Sequence, residues 1–209
     1  MEFSFGNVID AIEERLCESA VKSFGDLVSA KAAIQNREIY IGDIEYNTGA
    51  DTDALIRYWN REDEKNNIPV DQRDPIKLFI NSCGGDLTET FIMIDAIKLS
   101  KTPVWTICSG CAYSGGFLTF IAGHRRIAYP SASFMFHEGA TNSGGIDAGK
   151  FRNYADFYNV QLDQIKDIVL AQTEISEDYY KEHQKDDLWL TAKQAIELGA
   201  CDEIAEDLM

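Results

Sequence analysis

The chain is poor in positive charge. It has 19 Lys and Arg residues against 35 Asp and Glu residues, which gives a net charge of −16 at pH 7. A field of this sign repels the phosphate backbone of DNA and RNA, so we expect no nucleic-acid binding. Local acidic runs such as Glu62–Glu64 are typical of a solvated surface.

Several kinds of segment are also missing. The N-terminus has no basic region before its apolar residues, so no signal peptide is indicated. The stretch from Thr102 to Gly123 has no charged residue, but its glycines, its serines and Pro103 favour a buried strand, turn and helix over a membrane span. We therefore expect no membrane partner. No linker rich in Pro, Gly or Ser divides the 209 residues, and one domain is expected.

Cysteine is scattered rather than arranged in a framework. The five cysteines lie at positions 17, 83, 108, 111 and 201, an odd number that indicates a reducing, cytoplasmic compartment. Cys108 and Cys111 have the C-x-x-C spacing of a redox pair. Two thiols alone do not complete a four-ligand zinc site, and apolar strands commonly bury cysteine, so a structural interpretation is favoured. We expect no metal and no cofactor.

Predicted strands and helices alternate along most of the chain. Apolar runs predict strands at Glu38–Gly42, Ile76–Ile80, Val104–Cys108, Arg126–Tyr129 and Ser133–Phe136. Helical spacing predicts one amphipathic helix or a pair of helices over Val8–Ala33, and single helices at Asp53–Asn60, Leu87–Leu99, Gly115–Ala122, Ala148–Gln172 and Ala192–Leu198. The last helix lies between its cap Thr191 and Gly199, and a loop is predicted at Arg61–Arg73. This alternation predicts an α/β fold with a largely parallel sheet.

Two glycine-rich turns follow consecutive predicted strands. They read Asn81-Ser82-Cys83-Gly84-Gly85 and Ala112-Tyr113-Ser114-Gly115-Gly116. Reactive turns of such sheets lie at the carboxyl ends of the strands, where Gly85 and Ser114 fall. Ser114 is therefore a candidate nucleophile, although its turn differs from the G-x-S-x-G elbow and small residues around a serine also serve close helix packing. Gly85 and Gly115 are candidate backbone donors to an oxyanion.

Three histidines are available to activate a serine. His137 ends an apolar strand and is the favoured base, whereas His124 lies in a polar turn and His183 in a solvated segment. The orienting acid stays open on this reasoning, with Asp178, Asp186, Asp187 and Asp202 as candidates.

Four segments, taken in order, resemble the signature segments of the proteolytic subunit of Clp protease, the ClpP family. They are Ile80–Gly85, Ala112–Gly116, Met135–His137 and Asp187–Ala192, and the resemblance covers roughly Ile39 to Ile204. It implies a ClpP/crotonase-like α/β fold with repeated β-β-α units, a mostly parallel sheet and a protruding handle helix. It also implies one peptidase domain, 1–209, with a divergent helical segment at 1–35 and the handle at 140–173.

The resemblance further assigns roles to residues. Ser114 is implied to be the nucleophile, His137 the general base and Asp187 the orienting acid, while Gly85 and Gly115 form the oxyanion hole. The segment implied to pair with substrate backbone is Thr141, Asn142, Ser143, Gly144 and Gly145. The implied activity is that of a serine endopeptidase that cleaves unfolded polypeptides or peptides inside a homo-oligomer, a heptameric ring or double ring, with an AAA+ unfoldase as a partner.

The chain differs from the family at a few positions, and other interpretations stay open. Cys83 stands where proline is usual, Gly115 where methionine is usual, and Asp186 where an arginine takes part in contacts between rings. The alternatives are a phage-type ClpP-like maturation protease, a crotonase-like acyl-CoA enzyme and a catalytically silent ring subunit.

Overall fold

The computed structural model describes residues 32–139 and 147–208 of the chain. The chain divides into two compact units, Met1–Ile39 and Tyr40–Met209. The described part of the first unit is helical at residues 32–35 and then enters strand β1 (Glu38–Ile41). Nearly all of the helix predicted over Val8–Ala33, and the whole substrate-pairing segment Thr141–Gly145, lie outside the described residues. The single domain, 1–209, stays a prediction.

One sheet organises the larger unit, and it has seven strands in the described part of the chain. Strands β1, β2 (Ile76–Ser82), β3 (Val104–Tyr113), β4 (Arg125–Ala128) and β7 (Glu203–Ile204) lie side by side in that order. Strand β3 pairs with β4 through its first half and with β5 (Ser133–Phe136) through its second, and β5 pairs with β6 (Leu188–Thr191). The β2–β3, β3–β4, β3–β5 and β4–β7 pairs are parallel, and the β5–β6 pair is antiparallel. The predicted α/β fold with a mostly parallel sheet is confirmed.

Helices connect these strands. They are α1 (Thr48–Lys65), α2 (Leu87–Leu99), α3 (Gly115–Ile121), α4 (Ala148–Gln172), α5 (Glu177–His183) and α6 (Ala192–Glu197), and a 3-10 turn at Val70–Gln72 precedes β2. None of the described helices combines the length and the apolar composition needed to cross a membrane. Helix α6 begins with the predicted cap, because Thr191 and Gln194 form a capping box, and Gly199 has a φ of 63° just beyond its end.

Several predicted boundaries were wrong. Helix α1 begins at Thr48 rather than at Asp53, and β2 ends at Ser82 rather than at Ile80. The polar run predicted as a loop from Arg61 begins as helix, since α1 continues to Lys65 and buries the side chain of Asp63 completely. Strand β3 continues past Cys108, because its glycine- and serine-containing second half pairs with β5.

Helix α3 forms the centre of the core. All seven of its residues are buried, as expected of a helix that is apolar on every side. Its rings of Phe117 and Phe120 pack on Phe134 of β5, with the Phe120 and Phe134 ring centroids 4.8 Å apart. Burying a side chain of this size stabilises the fold by about 1.5–3 kcal/mol. The packing fixes the start of α3, and therefore Ser114, against the sheet.

Candidate active site

Strand register brings the three predicted catalytic side chains to one edge of the sheet. Ser114 follows β3 and His137 follows β5, and these two strands are parallel neighbours. Asp187 precedes β6, which pairs antiparallel with β5 so that Phe136 lies opposite Leu188. The next position in that register sets Asp187 opposite His137. A convergence of residues far apart in sequence thus follows from two pairings of β5.

The side-chain distances fit a hydrogen-bonded chain. His137 Nε2 lies 2.9 Å from Ser114 Oγ, and His137 Nδ1 lies 3.2 Å from Asp187 Oδ1. When Nδ1–H donates to the carboxylate, Nε2 is the acceptor for the serine hydroxyl. This is the tautomer that general-base catalysis requires. The arrangement can therefore remove a proton from Ser114 as the oxygen attacks a carbonyl.

The acid of this chain is partly in solvent. The Asp187 side chain is 51% exposed, and that of His137 is 29% exposed. Water screens a charge in such a position, so the interaction of the carboxylate with the imidazole is weaker than it would be in a dry interior. The carboxylate still fixes the orientation of the imidazole through the short contact with Nδ1.

Ser114 has an unusual backbone conformation. Its φ of 53° and ψ of −119° lie where non-glycine residues are rare, at a cost of about 1–3 kcal/mol. Neighbouring elements hold it there, because its N–H donates to the carbonyl of Met135 over 2.8 Å and its carbonyl accepts from Leu118 N–H over 3.1 Å. The sharp turn from β3 into α3 exposes the hydroxyl at the edge of the sheet.

The Gly84-Gly85 turn packs directly against the nucleophile. Gly84 has a φ of 98°, and a Cβ there would lie 2.7 Å from Ser114 Cβ. Gly85 has a φ of 149°, and a Cβ there would lie 2.0 Å from the Ile44 carbonyl oxygen. Ile44 fixes the turn on both sides, since its N–H donates to Gly84 and its carbonyl accepts from Asp86 N–H, each over 2.8 Å. Only glycine fits either position.

The same contacts orient the candidate oxyanion donors. The Gly84 carbonyl accepts from the Ile44 N–H, and the Gly85 N–H belongs to the same trans peptide group, in which N–H and C=O point in opposite directions, so the Gly85 N–H points away from Ile44. Gly115 is the first residue of α3, and its N–H has no acceptor within its own helix. Both glycines line the same cleft as Ser114 and His137. Two backbone donors are thus available beside the hydroxyl.

The cleft has a volume of about 600 Å³. Helices α3 and α4 contribute Leu118, Tyr154, Phe157, Tyr158 and Ile165 to its lining, which as a whole exposes more polar than apolar surface. The cleft therefore offers room for a substrate side chain next to the nucleophile.

Tyr158 and Gly84 are site residues that the sequence reasoning missed. The Tyr158 hydroxyl donates to the backbone carbonyl of Glu138 over 3.2 Å, which ties α4 to the residue that follows His137. Burial, with smaller effects from Tyr154 and Glu138, raises the pKa of Tyr158, so its hydroxyl remains a donor. On sequence alone Tyr158 is one more member of an apolar helix face. The paired glycines were a usable signal for Gly84.

The other candidates have different partners. His124 Nδ1 accepts from the Val104 N–H over 2.9 Å, and His183 Nδ1 lies 2.8 Å from the Tyr179 carbonyl oxygen of its own helix. Among the acids, Asp202 is paired with Arg126.

The first thiol of the C-x-x-C pair lies in the core. Burial raises the pKa of the Cys108 thiol to about 12, and its side chain is fully buried in β3. Over residues 32–139 and 147–208, no three His, Cys, Asp or Glu side chains are grouped so that they could hold a metal ion.

Comparison with known proteins gives one consistent result. A family model described as Clp protease matches residues 68–207. The chain is 34% identical over 140 residues to ATP-dependent Clp protease proteolytic subunit 1 of Streptomyces avermitilis, a match that covers 66% of this chain and 64% of the relative. It is 27% identical over 134 residues to proteolytic subunit 2 of Treponema pallidum, with 63% and 67% covered, and 26% identical over 185 residues to proteolytic subunit 1 of Rhodopirellula baltica, with 87% and 75% covered. The matches thus span about two thirds to three quarters of these relatives. Since the family model matches most of the chain and includes Ser114, His137 and Asp187, the chain belongs to the Clp protease family.

Proposed function

We propose that the protein is a serine endopeptidase that cleaves unfolded polypeptides or peptides. One observation carries the proposal: Ser114 Oγ lies 2.9 Å from His137 Nε2, while His137 Nδ1 lies 3.2 Å from Asp187. The relatives' names, which describe proteolytic subunits of an ATP-dependent protease, support the same activity here.

Acylation follows from this geometry. Ser114 Oγ attacks the scissile carbonyl while His137 Nε2 takes the hydroxyl proton. The N–H groups of Gly85 and Gly115 donate to the oxygen that becomes negative, an interaction worth roughly 10²–10³ in rate for each donor. Asp187 stabilises the imidazolium. His137 then returns the proton to the leaving amine, and an acyl-enzyme remains on Ser114.

Deacylation uses the same groups in reverse. Water enters beside His137, which takes a proton from it as its oxygen attacks the ester carbonyl. The two glycine amides hold the second oxyanion, and the proton returns to Ser114 Oγ as the ester bond breaks. With the peptide and one water as reactants, both half-reactions balance.

We propose that an apolar side chain at the position next to the cut packs on the apolar residues of the cleft. Leu118, Phe157 and Ile165 contribute to its wall, and burying a leucine- or phenylalanine-sized side chain there favours binding by about 1.5–3 kcal/mol. The segment Thr141–Gly145 follows the His137 loop in sequence, and its pairing with substrate backbone is part of this proposal.

Assembly into a ring is the second part of the proposal. Helix α4 leaves large apolar side chains in solvent, with Phe151 47%, Phe157 59% and Val160 53% exposed. A helix face of this kind favours a protein partner, and a heptameric ring or double ring of the same chain supplies one. The words "ATP-dependent" in the relatives' names support an AAA+ unfoldase as the partner that delivers substrate. A location in the cytoplasm is a further part of the proposal.

Labelling with a fluorophosphonate tests the catalytic assignment. We expect the probe to attach to Ser114 in the wild type and to be lost in Ser114→Ala, together with cleavage of a fluorogenic peptide. Ser109→Ala is the matched control, since Ser109 is an exposed serine of the same strand. Equal labelling of the wild type and Ser114→Ala would refute the nucleophile. Native mass spectrometry of the same samples reports the ring.

A crotonase-like acyl-CoA enzyme, the other interpretation of this fold, lacks a specific observation in its favour. The group in contact with Ser114 is an imidazole backed by a carboxylate, which is hydrolytic rather than acyl-CoA chemistry. Stabilisation of the folded protein by acyl-CoA would reverse this preference.

A further inference from the structure

Two thiols lie on neighbouring strands beside the active-site edge. Cys83 is in the turn after β2 and Cys111 is in the second half of β3, on either side of the register position at which Ser82 pairs with Ala112, and the Cys83 thiol is near enough to help raise the pKa of Cys111. Asn81 holds Cys111 in place, since its Oδ1 accepts from the Cys111 N–H over 3.2 Å and lies 3.5 Å from the Cys111 sulfur. Cys83 is exposed and Cys111 is partly exposed. Both thiols are free and within reach of a small solute.

An irregularity in the pairing of β2 with β3 places Cys111 near the end of β2. Ile80 pairs with Cys108, but Ser82 pairs with Ala112, so β3 has two more residues than β2 over this interval. Cys108, before the irregularity, points into the core and is fully buried. Cys111, within it, instead faces the end of β2. The bulge therefore separates a structural cysteine from one that can react.

We propose that Cys83 and Cys111 form an oxidative modification site that takes up a two-electron oxidant of the peroxide class. The exposed Cys83 sulfur attacks the peroxide, the O–O bond breaks, one oxygen leaves as water and the other stays as a sulfenic acid. The Cys111 sulfur then displaces that oxygen as a second water, and an S–S bond forms. In total two thiols are oxidised to one disulfide and one peroxide is reduced to two waters.

The surroundings of the two thiols set the order of these steps. Burial, the neighbouring thiol and the Asp43 carboxylate raise the pKa of Cys111, which keeps its sulfur protonated and slow to attack peroxide. Cys83 lies in solvent, so peroxide reaches it first. Cys111, fixed by Asn81, is then already adjacent to the sulfenic acid and acts as the resolving thiol.

The disulfide must disturb the oxyanion turn, a consequence that rests on the proposed function. An S–S bond of about 2.05 Å is shorter than the contact between two separate thiols, so Cys83 has to move toward β3. Gly84, the next residue, has no free space, because even a Cβ would lie 2.7 Å from Ser114 Cβ. The strain passes to Gly85, whose N–H is a proposed oxyanion donor. Oxidation should therefore lower peptidase activity reversibly.

Peroxide titration of the full-length reduced chain tests the site. We expect the wild type to lose about 2 Da, the mass of two hydrogens, and a peptide map to show Cys83 linked to Cys111. Cys83→Ser and Cys111→Ser should both abolish this link. Cys201→Ser, which changes a buried cysteine whose pKa is raised to about 11 by burial, should retain it. A map in which Cys83 is over-oxidised, or linked to another cysteine, overturns the proposal.

Fluorophosphonate labelling of the same samples tests the consequence. We expect oxidation to reduce labelling of the wild type at least about tenfold and dithiothreitol to restore it, whereas Cys111→Ser keeps its labelling in peroxide. A disulfide that forms without any loss of labelling would overturn the link to the oxyanion turn. If the reduced wild type is never labelled, the proposed function fails, while the mass measurement still decides the oxidation site.

Discussion

At the amino ends of β2 and β3 the buried polar side chains are paired with one another, whereas at the carboxyl ends polar groups face a cleft. Thr102, which precedes β3, donates to the buried Asp63 carboxylate over 2.7 Å and accepts from Arg73 over 3.2 Å. At the other edge, Ser114 and His137 bond to each other and line the cleft. At the amino edge the polar groups are used in bonds within the protein, whereas at the carboxyl edge they face the cleft, where a ligand can reach them.

The two histidines that lie next to strands express the same contrast. His124, before β4, uses Nδ1 to accept from the backbone N–H of Val104. His137, after β5, contacts a hydroxyl and a carboxylate instead. The first arrangement satisfies the start of a strand and the second can transfer a proton. The structural histidine lies at the amino edge of the sheet, and the candidate catalytic histidine lies at the carboxyl edge.

Backbone strain is found beside the cleft as well. Ser114 has a positive φ, which is strained for a residue with a side chain, whereas the neighbouring Gly84 and Gly85 have positive φ that glycine adopts readily. Strain of this kind persists only where surrounding contacts over-determine it, and it is common at functional sites. Substitutions at the carboxyl edge should therefore affect catalysis, and substitutions at the amino edge should affect stability.

The largest effect is expected for Gly85→Ala. The added Cβ would lie 2.0 Å from the Ile44 carbonyl oxygen, so the turn must shift and displace a proposed oxyanion donor. We expect kcat/KM for a fluorogenic peptide to fall by about 10²–10³. Gly42→Ala is the matched control, because nothing lies within 4 Å of a Cβ at Gly42. Wild-type activity in a folded Gly85→Ala protein would contradict this account of the carboxyl edge.

A smaller catalytic effect is expected for Asp187→Asn. The amide cannot stabilise an imidazolium and favours the wrong histidine tautomer, a change that costs about 10⁴ in rate where the acid is buried. Because the Asp187 side chain is 51% exposed and water already screens its charge, we expect a decrease in kcat nearer 10². Peptide hydrolysis measured beside Asp186→Asn, a change at the adjacent acid, checks this. A decrease as large as 10⁴ would mean that the acid is shielded from water in the working protein.

Thr102→Val should change stability but not chemistry. Thr102 is fully buried, and the valine leaves the carboxylate of Asp63 without the hydroxyl donor, at a cost of about 1–3 kcal/mol. Urea denaturation measures the change, and peptidase activity per folded molecule should remain that of the wild type. Lys101→Met is the neighbouring control, since its ion pair with Glu64 is exposed and should contribute under about 1 kcal/mol. A loss of activity in Thr102→Val without a loss of stability would break the division between the two edges.

Much of the site could be predicted because its residues occur in local patterns. Glycine turns after strands mark Gly85 and Ser114, and an apolar strand that ends in histidine marks His137. Asp187 could not be chosen on composition among 35 acidic residues, and only the resemblance of its segment selected it. Its role depends on the antiparallel pairing of β5 with β6, a long-range property that no local pattern contains.

The features that sequence could not predict share a physical cause: a polar residue occupies a position where the pattern requires an apolar one. Helix α1 extends to Lys65 because a buried carboxylate, that of Asp63, faces the core in place of a hydrocarbon. Strand β3 continues through Gly110, where the lack of a side chain leaves room for Asn81. A Cβ at Gly110 would lie 2.3 Å from Asn81 Oδ1. Predictions from hydropathy and turn propensity therefore end the helix or strand too early at such positions.

The smallest effect, and the one that compares the two edges most directly, is the pH dependence of stability due to His124. Burial lowers the pKa of His124 below its ordinary value, so the neutral ring is favoured in the folded chain. Above the unfolded pKa both states are neutral and His124 adds no pH dependence. As the pH falls through that value the unfolded state binds a proton first, so stability decreases until the lower folded pKa is reached.

His124→Asn should therefore reduce the acid sensitivity of the fold. The asparagine oxygen can accept from the Val104 N–H in place of Nδ1, and it does not titrate. We expect the urea midpoint of the wild type to decrease more between pH 7.5 and pH 5.5 than that of the variant, whatever the variant loses at pH 7.5 through altered packing. Equal decreases would mean that the ring at the amino edge is protonated as readily in the folded chain as in the unfolded one. The hydrogen bond to Val104 would then not hold His124 neutral, and the contrast with His137 would rest on position alone.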